Sequence, residues 1–83
     1  MLNRKQITLA RMQSGQSGIV LQVQGAQGLV NRLAALGIRP GKRITKVTAM
    51  LMRGPVTIQV DRAQVAIGFG MASRVLVELD EAK

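Results

Sequence analysis

From Gly18 onward the chain is a succession of short β-patterned runs, each ended by a turn signal, and this pattern limits most strongly what it can fold into. Ile19, Leu21 and Val23 alternate with Val20, Gln22 and Gln24, and that period of two predicts a strand with the first set facing a core. The stretch from Arg43 to Leu51 is rich in β-branched residues (Ile44, Thr45, Val47, Thr48), but its imperfect alternation predicts a bulge. Gly54-Pro55 is a turn into Val56, Ile58 and Val60. Asp61-Arg62 turns the chain again into Val65-Ala66-Ile67-Gly68. A Gly70–Ser73 turn leads to Val75, Val77 and Leu79. Strands this short, with turn signals every 8–12 residues or so, argue for a small barrel or sandwich.

One helix interrupts the pattern. Leu29, Leu33 and Leu36 are spaced i, i+4, i+7 and predict a helix over Leu29–Leu36, with Asn31 and Arg32 facing away from the apolar stripe. Gly37 follows where a left-handed C-cap is needed, and Pro40 keeps the helix from resuming. Near the N-terminus Leu9–Met12 predicts a single helical turn that ends at Ser14-Gly15.

These elements make one mainly β domain: a small barrel of about five strands with one short α-helix packed across it. Closing the sheet would remove its edges. With 83 residues the chain can bury only about 60–65% of its unfolded surface, so the core must be compact. We assign residues 1–6 to an N-terminal extension, 7–80 to the barrel and 81–83 to a tail. The expected core comprises Ile19, Leu21, Leu29, Leu33, Val56, Ile58, Val65, Ile67 and Val77, with Gly37, Gly41 and Gly54 serving backbone geometry. No apolar run approaches the roughly 20 residues that span a bilayer. The N-terminal cations are not followed by a signal-peptide core. The expected location is therefore the cytoplasm.

The residue inventory weighs against several chemistries. Cys and His are both absent, which removes disulfides, thiolate and imidazole metal ligands, and the usual general base. Ser14, Ser17 and Ser73 thus have no His to activate them. The carboxylates Glu78, Asp80 and Glu81 crowd the C-terminal end, where a solvated acidic tail is the simpler reading. Gly37-Ile38-Arg39-Pro40-Gly41-Lys42 has three residues between its glycines where a phosphate-binding loop needs four, and Pro40 removes an amide. Gly68-Phe69-Gly70 reaches Ser73, not a third Gly, and no βαβ unit surrounds it. Met50 and Met52 could offer thioethers to a soft ion, but methionine is more often adaptable filler. No catalytic residue, metal ligand or cofactor is expected.

Charge points instead to a partner. Twelve Lys and Arg against four Asp and Glu give a net charge of +8, and every acid (Asp61, Glu78, Asp80, Glu81) lies beyond residue 60. Such a surface suits an acidic protein face, nucleic acid or an anionic membrane surface. Small barrels that hold single strands lay bases on aromatic rings, however, and this chain has only Phe69. Nucleic acid is therefore the weaker reading. Arg32, Arg39, Lys42, Arg43 and Lys46 follow one another from the polar helix face into the next strand, with Arg53 beyond them, and form a basic cluster able to steer an acidic partner.

The order of these motifs resembles one known family. The Leu9 turn with Gly15 and Gly18, the run from Leu29 through Arg32-Leu33, Leu36-Gly37 and Pro40-Gly41, then Gly54-Pro55-Val56, Val65–Gly68, Ala72 and Val75–Val77 together resemble a FeoA domain over residues 7 to 79. The resemblance implies an SH3-like barrel that lacks catalysis of its own. It also implies a part in bacterial ferrous-iron uptake, through contact with the membrane permease FeoB and its cytosolic GTPase domain. Related modules end metal-dependent repressors, so a regulatory role is the alternative that the same resemblance offers. The transition-metal label sometimes attached to the domain finds little chemical support in a chain without His or Cys. For the partner contact we expect Arg32, Arg39, Lys42 and Arg43 to steer and orient, and Leu36, Ile38 and Met52 to add apolar area. Weak self-association is a further expectation, and insertion into the membrane is not expected.

Overall fold

The computed structural model describes residues 5–49 and 54–80, with the backbone alone at 48 and 49. The elements in chain order are β1 (Gln6–Thr8), a 3-10 turn η1 (Leu9–Arg11), β2 (Ser17–Val23), α1 (Gln27–Ala35), β3 (Arg43–Ala49), β4 (Val56–Val60), β5 (Ala63–Ile67), α2 (Phe69–Ala72) and β6 (Val75–Leu79). All six strands join one antiparallel sheet in the order β1-β6-β2-β3-β4-β5. The additional strand is β1, which pairs with β6 from Gln6 opposite Glu78 to Thr8 opposite Leu76. The expected closure is not completed: among the described residues β1 and β5 are the two ends of the order.

Two bulges bend the sheet. One lies in β3 between Lys46 and Thr48, where the broken alternation foretold it. The other lies in β2 between Val20 and Gln22, and it overturns the expected facing of that strand. An extra residue shifts the side-chain phase by one, and a one-residue shift exchanges the two faces. Gly18 and Val20 therefore point inward before the bulge and Val23 packs on the core after it, while Ile19 and Leu21 are only half-buried.

The interior is one apolar cluster that includes Leu9, Met12, Val20, Leu33, Ile38, Ile44, Ile58, Val75 and Val77. Leu33, Val56, Ile58, Ile67 and Val77 are core as expected, with Leu29 and Val65 packed partly exposed against it. Residues 70–73 were expected as a turn; Gly70, Met71 and Ala72 instead belong to the single-turn helix α2, which buries Ala72. The Ser73 hydroxyl donates to the Gly70 carbonyl at 2.6 Å behind it.

α1 ends in a complete Schellman motif. Gly37 sits at φ +92°, its N–H donates to the Ala34 carbonyl at 2.9 Å, and the Ile38 N–H donates to the Leu33 carbonyl at 2.9 Å. A Cβ at Gly37 would also stand 2.9 Å from the Val60 Cγ1 methyl. Gly37→Ala is expected to lower stability by about 1.5 kcal/mol, chiefly from the left-handed backbone. Chemical unfolding checks this, and an unchanged midpoint would contradict the cap.

A basic face at the end of α1

The expected partner residues divide sharply once placed. Arg32 and Leu36 lie one helical turn apart on the exposed side of α1 and its cap. Leu36 is 39% exposed, the one large apolar side chain left so among the described residues. Arg39 is exposed in the connection that follows. That connection is anchored rather than loose. The Gly41 N–H donates to Val20 O at 2.8 Å, the Val20 N–H to Lys42 O at 2.9 Å, and the Lys42 N–H to Arg39 O at 3.1 Å. Gly41 takes φ +90° to make this turn.

Ile38 does not belong to the face. It is fully buried, and the physical reason is the Schellman motif, whose residue after the glycine folds back on the helix position that accepts its N–H. Here that position is Leu33, also fully buried. The signal was present in the sequence as an apolar residue directly after a capping Gly. Met52 and Arg53 lie outside the described residues.

Lys42 and Arg43 are partly neutralised. Lys42 Nζ stands 2.9 Å from Asp61 Oδ1, and Arg43 Nη1 stands 2.5 Å from Asp80 Oδ2. Pairs this exposed contribute about 0–1 kcal/mol to stability, but each cancels a cation that would otherwise steer. Among the described residues the ion pairs include neither Arg32 nor Arg39. The free positive charge of the face thus rests on these two arginines, with the exposed Leu36 between them in the chain.

Lys46 leaves the basic cluster altogether. Its residue surface is 2% exposed, on the inward side of β3 two positions from Ile44. Its ammonium donates to three backbone carbonyls of the η1 region: Met12 O at 2.6 Å, Ala10 O at 3.1 Å and Leu9 O at 3.2 Å. Leu9 O already accepts the Met12 N–H at 3.2 Å, whereas no backbone donor of the described residues outside the regular elements reaches Ala10 O or Met12 O. Lys46 supplies these two and adds a second bond to Leu9 O. Burial pushes the Lys46 ammonium below the ordinary lysine value of 10.5.

The hydroxyls of two of the three serines are committed to the fold. Ser17 Oγ lies 2.7 Å from Thr45 Oγ1 across β2 and β3, and Ser73 bonds Gly70. Among the described residues no three His, Cys, Asp or Glu side chains gather where they could share a metal ion. Nor is any described helix long and apolar enough to cross a membrane.

The fold and the face together define a small SH3-like β module that carries a cationic, partly apolar edge at the end of α1. Comparison with known proteins places it more closely. The FeoA domain family model matches residues 7–79, and the chain belongs to that family. A Methanocaldococcus jannaschii protein named for Fe(2+) transport as protein A is 31% identical over 70 residues, covering 84% of this chain and 83% of its own length. The crystal structure of an iron uptake regulatory protein, FeoA, superposes with a TM-score of 0.86 at 33% identity, over 90% of this chain and 99% of that one. The zinc complex of Stenotrophomonas maltophilia FeoA, described as a procaryotic SH3 domain protein, gives a TM-score of 0.76 at 28% identity, over 87% of this chain and 89% of that one. The barrel is thus SH3-like, as the family resemblance implied.

Proposed function

We propose that this FeoA-family chain is an accessory protein of ferrous-iron uptake that docks on the cytosolic part of a FeoB-type GTPase permease through Arg32, Leu36 and Arg39. The observation that carries the reading is the exposed Leu36, with the exposed Arg32 one helical turn before it and the exposed Arg39 three residues after it, both outside the described ion pairs. Cations at the rim of a contact steer an acidic partner and set register, while an apolar side chain between them supplies area that water leaves on binding. Lys42 and Arg43 stand at the margin, available where the partner's carboxylates displace Asp61 and Asp80. The suggestion that the S. maltophilia relative acts as a ferrous iron transport activating factor supports the same direction. The chain would act in the cytoplasm, held at the inner membrane face by its partner.

The test is a titration of the protein against full-length permease in nanodiscs at low and moderate salt, with a short single-stranded DNA as control. Saturable permease binding is expected to weaken at least about tenfold in the double variant Arg32→Glu, Arg39→Glu. Its dependence on salt should flatten at the same time. Tight, steeply salt-dependent DNA binding with none to the permease would replace this reading by the nucleic-acid one.

A further inference from the structure

The sheet ends on two edges that are guarded very differently. β1 is three residues long and follows Lys5, and short length and lysine are among the devices that blunt an edge. β5 has five residues, Ala63-Gln64-Val65-Ala66-Ile67, with no charge and no proline. Its register against β4 runs without a bulge. α2 leaves β5 for the 3-10 turn η1, and the strand that β5 packs along is β4.

The direction of its free backbone groups follows from the turn. The chain reverses at Asp61-Arg62 with Val60 opposite Ala63. A two-residue turn closes on a hydrogen-bonded pair, and such pairs alternate with non-bonded ones along an antiparallel ladder. Val60–Ala63, Ile58–Val65 and Val56–Ile67 are therefore the bonded pairs. Gln64 and Ala66 turn their N–H and C=O away from β4, and among the described residues no backbone group outside the sheet bonds to either.

We infer that this edge is a self-association surface on which a second copy of the chain adds its own β5 antiparallel. A two-fold axis at Val65 sets Gln64 against Ala66 of the second copy and Ala63 against Ile67. Both Gln64–Ala66 pairs then exchange N–H···O=C bonds, four in all, with no like charges opposed. Gln64 and Ala66 are exposed, so the approach meets no intervening element of the described chain. One five-residue strand pair buries far less than the roughly 1,600 Å² of a standard stable interface, so the dimer is weak, with a dissociation constant of about 0.1–1 mM. Each copy carries a net charge of +8, so added salt strengthens the dimer by screening their repulsion. Salt acts with the opposite sign on contact with an acidic partner, which separates this surface from the arginine face; the inference does not depend on the permease reading.

The experiment is sedimentation equilibrium and amide hydrogen exchange on the whole chain from micromolar to millimolar protein, at low and high salt. A monomer–dimer equilibrium favoured by salt is expected. Slowing of about tenfold should appear at the Gln64 and Ala66 amides at the top concentration. Ala66→Pro deletes an outward N–H while sparing the ladder to β4, and Gln64→Lys charges the edge. Both variants should remain monomeric with the amide spectrum of β4 unchanged. A wild-type chain that stays monomeric throughout overturns the inference, as does a dimer that survives both variants. Loss of permease binding in the two variants, with a monomeric wild type, would give the edge to the permease instead.

Discussion

Replacing Lys46 by methionine is expected to lower folding stability by about 3 kcal/mol, because the Ala10 and Met12 carbonyls then lose their donor and Leu9 O keeps only the Met12 N–H. Methionine retains most of the apolar stem, so packing is little changed and the loss reports on the ammonium. Two effects oppose each other here. Charge-assisted bonds to carbonyls favour the lysine by about 1.5–3 kcal/mol each, while taking an ammonium out of water costs several kcal/mol. Truncation recovers the second and forfeits the first, and a buried carbonyl without a donor costs about 1–3 kcal/mol. Of the three, Met12 O at 2.6 Å has most to lose. A domain of 83 residues has a total stability of about 4–12 kcal/mol, so the variant should unfold at much lower urea with a similar slope. A midpoint within experimental error of wild type would show that the ammonium contributes nothing net.

The same residue makes stability depend on pH in a defined direction. Burial holds folded Lys46 below 10.5, whereas the unfolded chain keeps the ordinary lysine value. Between the lowered folded value and 10.5 the unfolded state binds more protons, so stability rises with pH across that window. Below the window the cost of burying the charge is present in full. The stability difference between wild type and Lys46→Met should therefore grow toward alkaline pH, while the other lysines cancel in the comparison. A flat difference would contradict the burial of a charged ammonium.

Gly18→Ala is expected to cost about 3 kcal/mol or more, the other large effect. A Cβ at this position would lie 2.4 Å from the Glu78 carbonyl oxygen and 2.6 Å from Val77 Cγ1. The oxygen belongs to the backbone of β6, the strand that pairs with β2, so relief means moving two central strands apart. Gly28→Ala is the matched control. It lies in the first turn of α1 with nothing within 4 Å of the added methyl, and alanine there should raise stability by about 0.5–1 kcal/mol. Urea unfolding of the pair separates steric exclusion from a general effect of removing glycine; a Gly18→Ala midpoint equal to wild type would refute the close approach.

Much of this architecture is written in local pattern. Although Leu36, expected on the α1 stripe, lies exposed on the side of Arg32, the Leu29 and Leu33 part of that stripe, the left-handed Gly37, the bulge in β3 and the strands around Ile58 and Val77 all follow from spacing and from residues that a turn demands. So do the two exposed arginines, since a charged residue on the polar side of a short helix or after its cap has no reason to enter a core. The order of those elements was also enough to suggest the family.

The facing of β2 was not legible, because its alternation reads equally well in either phase until the bulge near Leu21 is known. Nor was the fate of the basic cluster. Lys42 and Arg43 meet carboxylates 19 and 37 positions away in the chain (Asp61 and Asp80), and Lys46 meets carbonyls 34 to 37 positions back. No local pattern encodes encounters at such separations, since the energy of a charge depends on what the sheet brings beside it and on how much water it excludes. By itself the sequence determined where most strands and turns fall, that Cys and His are absent, and that the chain would be strongly basic. Tertiary structure alone decided which cations stay exposed outside the described ion pairs, which are paired and which one is buried against the η1 carbonyls, because only the folded sheet sets solvent access and distance.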